Sequence, residues 1–390
     1  MGLKKSLEGH FSGMSDARCA CDVEIPLIDI LFVLMFGVLA GYDNTEDIKN
    51  HADYFRDDLR QRFGVTRIPS ESTLRRMLRL IRPEELGKAT LQLMQEAFSH
   101  LEGDVIAIDG KAIRGSTIRG RLASQLRILS AYDTQLQMTI GSVEVGEKTN
   151  EIPGMLDVLP LFNFSGRIIT ADAMHCQKDT CRAIVSGDGD YVFQVKRNQK
   201  DLYEGVKDSM DHLMAEPEEG LQVSIEDSVG HGRIERRTCY LFPIDGWYDR
   251  ASEWPGVQSM VAVVRETERD GHVTVERAYY ITSLLGTAAH LNRIVRDHWK
   301  IESMHWSLDV TFDEDACRIT DRNTQLNLNI LRKLALALHS HWAAKAQEAS
   351  GKSKKPRLKT SIQQIVRGDM KHLGHLLAPC IDLEAVFEKH

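Results

Sequence analysis

Val105-Ile-Ala-Ile-Asp109-Gly110 and Arg167-Ile-Ile-Thr-Ala-Asp172 are two short apolar runs, rich in β-branched residues, each closing on an aspartate. Both read as buried strands that leave a carboxylate at their end. An aspartate after a strand is also an ordinary turn residue. A pair of them, however, is what a two-metal site asks for, because hard cations prefer carboxylate oxygens and strand ends hold those oxygens rigidly. Around this pair, further strands are expected at residues 128–132, 138–145 and 191–196, with helical stretches at 155–158 and 177–185. Strand and helix alternate, which predicts an α/β layer.

Outward from that layer the pattern changes on both sides. Upstream, residues 25–41 (IPLIDILFVLMFGVLAG) are apolar but shorter than the roughly 20 residues a bilayer crossing needs, and they contain Asp29, so a buried core helix is expected. Residues 45–63 are helical in character, and Pro69-Ser-Glu-Ser-Thr-Leu-Arg-Arg-Met-Leu has a capped helix start. Arg56, Arg60, Arg62, Arg67, Arg75, Arg76, Arg79 and Arg82 crowd this helical module, forming either a DNA-facing or a solvated surface. Downstream, residues 219–287 alternate as a β-rich insertion, helical periodicity returns from Ala288, and a long helix is expected over 323–346. Lys352-Ser-Lys-Lys-Pro-Arg-Leu-Lys359 is a basic connector to a last helix near 362–377.

With 390 residues, 42% apolar and 27% charged, the chain can bury a sizeable core over two or three domains and is neither disordered nor collagen-like. The net charge of −7 excludes a histone-like protein that binds nucleic acid through bulk charge. The seven cysteines, Cys19, Cys21, Cys176, Cys181, Cys239, Cys317 and Cys380, have no zinc-ribbon spacing and imply reduced thiols in a cytoplasmic protein. His175-Cys176 with Cys181 has the donors of a metal site, but the apolar face of a helix with a polar start is the favoured reading.

A third carboxylate for the pair is expected on a helix after the insertion. In His298-Trp-Lys-Ile-Glu302-Ser-Met-His305-Trp-Ser-Leu-Asp309-Val310, at about 100° per residue, His298, Glu302, His305 and Asp309 fall within roughly 60° of one another. Ile301, Met304 and Leu308 form an adjoining apolar stripe. The His-x-x-x-Glu-x-x-His spacing also admits a two-histidine, one-carboxylate zinc site, although that reading leaves both aspartates without a task.

Five segments, in order, carry a resemblance: residues 106–116 (IAIDGKAIRGS), 147–152 (EKTNEI), 170–178 (TADAMHCQK), 190–199 (DYVFQVKRNQ) and 298–310 (HWKIESMHWSLDV). With the helical module ahead of them they resemble the H-repeat-associated insertion-sequence transposases, a branch of the Asp-Asp-Glu transposases with a ribonuclease H-like core, over nearly the whole chain. The resemblance implies Asp109, Asp172 and Glu302 as catalytic and metal-binding triad, two Mg2+ (or Mn2+) ions, and DNA as partner, both element terminal inverted repeats and target. It further implies a homodimer assembled on DNA and no membrane association. It departs from the wider group's Tyr-Arg-Glu-Lys signature, with Val295, His298 and Asp309 at the Tyr, Arg and Lys places.

The implied organisation is a helical, DNA-binding N-terminal domain (1–100), a catalytic domain in two parts (101–218 and 288–349) around the β-rich insertion (219–287), and a basic connector with a C-terminal helix (350–390). Between Gly110 and Arg127 stand Lys111, Arg114, Arg119, Arg121 and Arg127 with no acidic residue, a local positive track for a phosphate backbone. Lys148, Asn150, Lys196, Asn198 and Gln199 lie at or beyond strand ends, and they, His298 and His305 are candidate DNA contacts or solvated loop residues. A catalytically inactive DNA-binding relative, or a nuclease without strand transfer, is the alternative function.

Overall fold

The computed structural model describes residues 2–19, 23–98, 103–116, 125–146, 151–230, 232–352 and 354–380. Six helices come first: α1 (Gly2–Phe11), α2 (Leu27–Leu39), α3 (Thr45–Tyr54), α4 (Arg56–Phe63), α5 (Glu71–Leu80) and α6 (Pro83–Ala97). The apolar run is α2, buried from Asp29 to Leu39. Its one acidic side chain is satisfied internally, since Thr66 donates to Asp29 through both its backbone N–H (2.9 Å) and its hydroxyl (2.5 Å). No described helix is long and apolar enough to cross a membrane. Ser70 caps α5 as its sequence predicts, accepting from the N–H of Thr73. Six of the eight clustered arginines, Arg56, Arg62, Arg67, Arg75, Arg79 and Arg82, are ion-paired among the described residues, so most of that positive charge is locally compensated.

The rest is a large mixed sheet with helices on it. Its elements are β1 (Val105–Ile113), β2 (Leu126–Asp133), β3 (Met138–Val145), α7 (Glu151–Val158), β4 (Ile168–Ala171), α8 (Lys178–Ser186), β5 (Asp190–Val195) and α9 (Lys200–Ala215). They continue as β6 (Gln222–Gly230), β7 (Arg233–Pro243), β8 (Ser259–Arg269), β9 (His272–Thr282), α10 (Ala288–His298), α11 (Lys300–Val310), α12 (Arg322–Ser350), α13 (Leu358–Val366) and α14 (Met370–Leu377). The strand order is β3-β2-β1-β4-β5-β9-β8-β7-β6. β1 to β3 are antiparallel, and β1, β4 and β5 run parallel. The β-rich insertion is not a separate sheet: its four antiparallel strands extend the same one, because β9 pairs with β5 over Val192–Val195 and Tyr279–Thr282.

Helix α12 ties the molecule together. It packs on α2, α5 and α6, on β3, and on α11, α13 and α14. Asn327 Nδ2 donates to the carbonyls of Leu78 and Ile81, both at 2.9 Å, satisfying orphan carbonyls at the end of α5. One apolar core therefore runs from α1 and α2 through α12 to the sheet.

Candidate active site

The sheet register brings the two aspartates together. Ile108 pairs with Ala171 in the parallel β1–β4 ladder, so Asp109 and Asp172 follow side by side at the carboxyl end. Residues alternate faces along a strand. Val105 and Asp109 of β1, Ile168 and Thr170 of β4, and Val192 of β5 lie on the face covered by α10, where Val105, Ile168 and Val192 pack with Leu291, Ile294 and Val295. The expectation that β1 ends at Asp109 needs correction. β2 goes on pairing with it from Asp109 opposite Ser130 to Ile113 opposite Leu126, and only the β4 partner stops.

Glu302 reaches the same place from α11. Asp109, Asp172 and Glu302 line one cleft of about 180 Å3 together with Thr170, Lys196 and His298. A larger groove of about 610 Å3 between α6, β3 and α12 has mostly apolar walls and holds none of the predicted side chains. The single helical face expected from His298 to Asp309 is corrected as well. α10 stops at His298 and α11 starts at Lys300, with Trp299 at φ −68°, ψ −7° between them. His298 is held at this break by Thr170, whose Oγ1 lies 3.0 Å from His298 Nδ1.

The electrostatics of the cleft are strained by like charge. Partial burial pushes the Glu302 carboxyl up, and the charge of Asp109 pushes it further, with His305 only partly offsetting both. His305 Nδ1 is 3.4 Å from Asp109 Oδ2, and its buried Nε2 has no hydrogen-bond partner. Burial lowers His298 despite the pull of Asp109 and Asp172, so its imidazole is held neutral. Among the described residues no three His, Cys, Asp or Glu side chains already converge tightly enough to hold an ion. Yet an oxygen donor set whose carboxylates repel one another fits a hard divalent cation, which would relieve that repulsion. The zinc arrangement gains no such support: His298 turns Nδ1 to Thr170, and His305 turns Nδ1 to Asp109.

The remaining predicted residues divide. Lys196 is exposed on the cleft wall and has no ion pair among the described residues. Arg114 is exposed and near Asp315 at 3.7 Å. Lys111 is not offered to a ligand: it is ion-paired with Asp309 and with buried Glu314, its side chain 10% exposed. Asn198 and Gln199 instead brace the turn after Asp172. Asn198 Nδ2 donates to the Ala173 carbonyl (2.6 Å), and Gln199 Nε2 donates to the Cys176 carbonyl (3.2 Å) and Gln177 Oε1 (3.0 Å). Lys148 and Asn150 lie outside the described residues, as do Arg119 and Arg121.

Cys176 and Cys181 are buried thiols pushed up by desolvation, Cys181 to about 12, which leaves them protonated and poor metal donors. Their neighbour His175, which the cysteine reading obscures, is buried beside Asp172. It is 1% exposed, and its Nε2 stands 4.0 Å from Asp172 Oδ1.

A family model described as "Transposase DDE domain" matches residues 100–338, and one described as associated with that domain matches residues 9–94. YhhI of Escherichia coli (strain K12), described as an H repeat-associated transposase, is 33% identical over 347 residues, covering 86% of this chain and 90% of YhhI. YncI of Escherichia coli O157:H7 is 30% identical over 386 residues, covering 97% and 96%. Among solved structures, a piggyBac transposase synaptic complex with hairpin DNA aligns at a TM-score of 0.44 and 13% identity, over 96% of this chain and 77% of that chain.

Proposed function

Because the chain belongs to the H repeat-associated transposases of the Asp-Asp-Glu class, we propose that it cuts DNA at the ends of an insertion-sequence element and joins them to target DNA, using Asp109, Asp172 and Glu302. The observation that carries this reading is the convergence of these three carboxylates, from two neighbouring parallel strands and a helix, on one cleft. The β3-β2-β1-β4-β5 part of the sheet, antiparallel then parallel, supports a ribonuclease H-like core. The mutual repulsion of Asp109 and Glu302 supports Mg2+ or Mn2+ as their occupant.

When bound, a pair of such ions supplies Lewis acidity to the attacking and the leaving oxygens of an in-line displacement. The chain's own residues do the rest. Asp109 and Asp172 are fixed by the β1–β4 ladder, and Glu302 approaches from the opposite wall. His305 orients Asp109 through the 3.4 Å contact. Lys196, uncompensated on the cleft wall, holds a phosphate of the DNA backbone. His298, kept neutral and anchored on Thr170, lines the path of the reacting strand. Joining two element ends calls for two copies of the chain on DNA.

The test is nicking and strand transfer on a supercoiled plasmid carrying the element ends, with Mg2+ or Mn2+ and with chelator. Asp109→Asn, Asp172→Asn and Glu302→Gln are each expected to lower both products by at least about a hundredfold, as is metal removal. Full strand transfer by any one variant sinks the triad, and cleavage without joined products reduces the activity to that of a nuclease.

A further inference from the structure

A fourth carboxylate approaches the site from the opposite face of the sheet. Gly110 follows Asp109 on β1 and, by the pleat, turns away from the α10 face. A Cβ at Gly110 would stand 2.5 Å from Glu151 Oε2 and 3.0 Å from Glu151 Cδ. The Glu151 carboxylate, at the first residue of α7, therefore occupies the space beside the Asp109-Gly110 backbone that only glycine leaves open.

Among the described residues this arrangement is only weakly neutralised. The nearest basic group to Glu151 among the ion pairs is Arg127 Nη1, at 3.7 Å and on a half-exposed side chain. Beside the carboxylates sits His175, 1% exposed, with neither ring nitrogen hydrogen-bonded. The three acidic charges that act on it are those of Asp172, Glu151 and Asp109. A buried imidazole with two idle nitrogens is costly, and it calls for a partner between it and the carboxylates.

We infer that Glu151 is a fourth carboxylate of the site, and that Asp109 is shared between two cation positions: one toward Glu302 and Asp172, the other toward Glu151 with His175 lining it. The site thus wraps around the edge of β1 that is left open where β4 stops, with Glu302 reaching it from the α11 side and Glu151 from the α7 side. This rests on the divalent-metal reading above and assigns the second ion a protein ligand beyond the triad. Sharing one carboxylate is what sets two ions close enough to act on a single phosphate.

The experiment is Mn2+ binding to the purified full chain, free Mn2+ being read by electron paramagnetic resonance, so that no turnover is needed. Wild type is expected to bind two ions and Glu151→Gln one, or a second ion weakened by about tenfold or more, with Glu151→Asp restoring part of the loss. Asp109→Asn should lose both. Arg127→Gln, which removes the ion-pair partner of Glu151 and leaves the carboxylate, should still bind two. Wild-type binding by Glu151→Gln alongside loss in Asp109→Asn overturns this inference and leaves the triad standing. Loss of one ion in Arg127→Gln makes Glu151 a structural partner and overturns it too. No Mn2+ bound by wild type overturns both this inference and the metal reading.

Discussion

Lys111 stands two residues after Asp109, in a stretch whose local charge is all positive, and on those grounds it belongs with the phosphate-binding residues. Its ammonium instead lies between Asp309 and Glu314. Glu314 is fully buried and also accepts from Asn329 Nδ2 at 2.8 Å, with Arg332 Nη1 at 3.5 Å. Burial pushes the Glu314 carboxyl up, but Lys111 and Arg332 pull it further down, so it stays ionised and depends on them. Lys111→Met is therefore expected to cost about 3 kcal/mol of stability, because it strips a buried carboxylate of its closest countercharge. Denaturant unfolding checks this. A variant of unchanged stability with weakened DNA binding would return Lys111 to the phosphate role. The discrepancy has a physical origin: a tally of neighbouring charges sees residues 111–127, whereas the partners of Lys111 are about 200 positions away and are brought in by the packing of α11 on β1. Asp109 and Asp172 are legible for the opposite reason, since an apolar β-branched run ending in a carboxylate is a local pattern.

Elements are legible in the sequence where their period is uninterrupted and obscure at their breaks. β3 begins and ends where its alternation does, at Met138 and Val145. α9, a 16-residue helix between β5 and the insertion, is absent from the sequence reading. α10 and α11 read as one helix because Trp299 has no breaking tendency, and the break falls beside His298, which is hydrogen-bonded to Thr170. The last predicted helix is likewise two, α13 and α14, parted at Gly368, whose φ of +79° no β-carbon residue adopts easily. The basic connector runs from the end of α12 into the first turn of α13, with Lys352, Lys354, Lys355, Arg357 and, already on α13, Lys359 exposed and Lys355 Nζ 3.4 Å from Gln137 Oε1 at the β2–β3 turn. Five cations held out from a well-packed helix pair suit backbone phosphates. Replacing all five by glutamine should weaken DNA binding irrespective of sequence and flatten the log–log salt slope by about 0.9 for each phosphate that is no longer neutralised. An unchanged slope would leave the segment as a linker alone.

At the scale of the whole molecule, the N-terminal helices and the sheet are joined by α12 through buried polar groups as well as apolar ones. His339 on α12 lies 3.1 Å from the carbonyl of Leu39 through Nε2. A carbonyl only accepts, so Nε2 carries the proton, and Nδ1 accepts from Ser361 Oγ at 2.7 Å. Ser361 Oγ in turn accepts from His372 Nε2, also at 2.7 Å. This chain links α2, α12, α13 and α14, and it exists only while His339 is neutral. Burial lowers His339 from its usual 6.5 to about 3 and His51, stacked on Phe36 between α2 and α3, to about 4. Both folded values lie below the unfolded one, so the unfolded chain gains protons first as pH falls, and stability is lost from pH 6.5 downward. Between pH 7 and pH 5 each of the two should cost about 2 kcal/mol. His175, His298 and His372, also lowered by burial, add in the same direction, while Glu302, whose carboxyl is raised, opposes them slightly. Urea unfolding at the two pH values is expected to show a loss of at least about 4 kcal/mol for the wild type. His51→Leu removes one titrating group from an apolar stack and should shrink that loss by about 2 kcal/mol. Equal stability at pH 7 and pH 5 would mean that these imidazoles are not sealed from water, and that α2 is held to α12, α13 and α14 less tightly than the His339–Ser361–His372 chain requires.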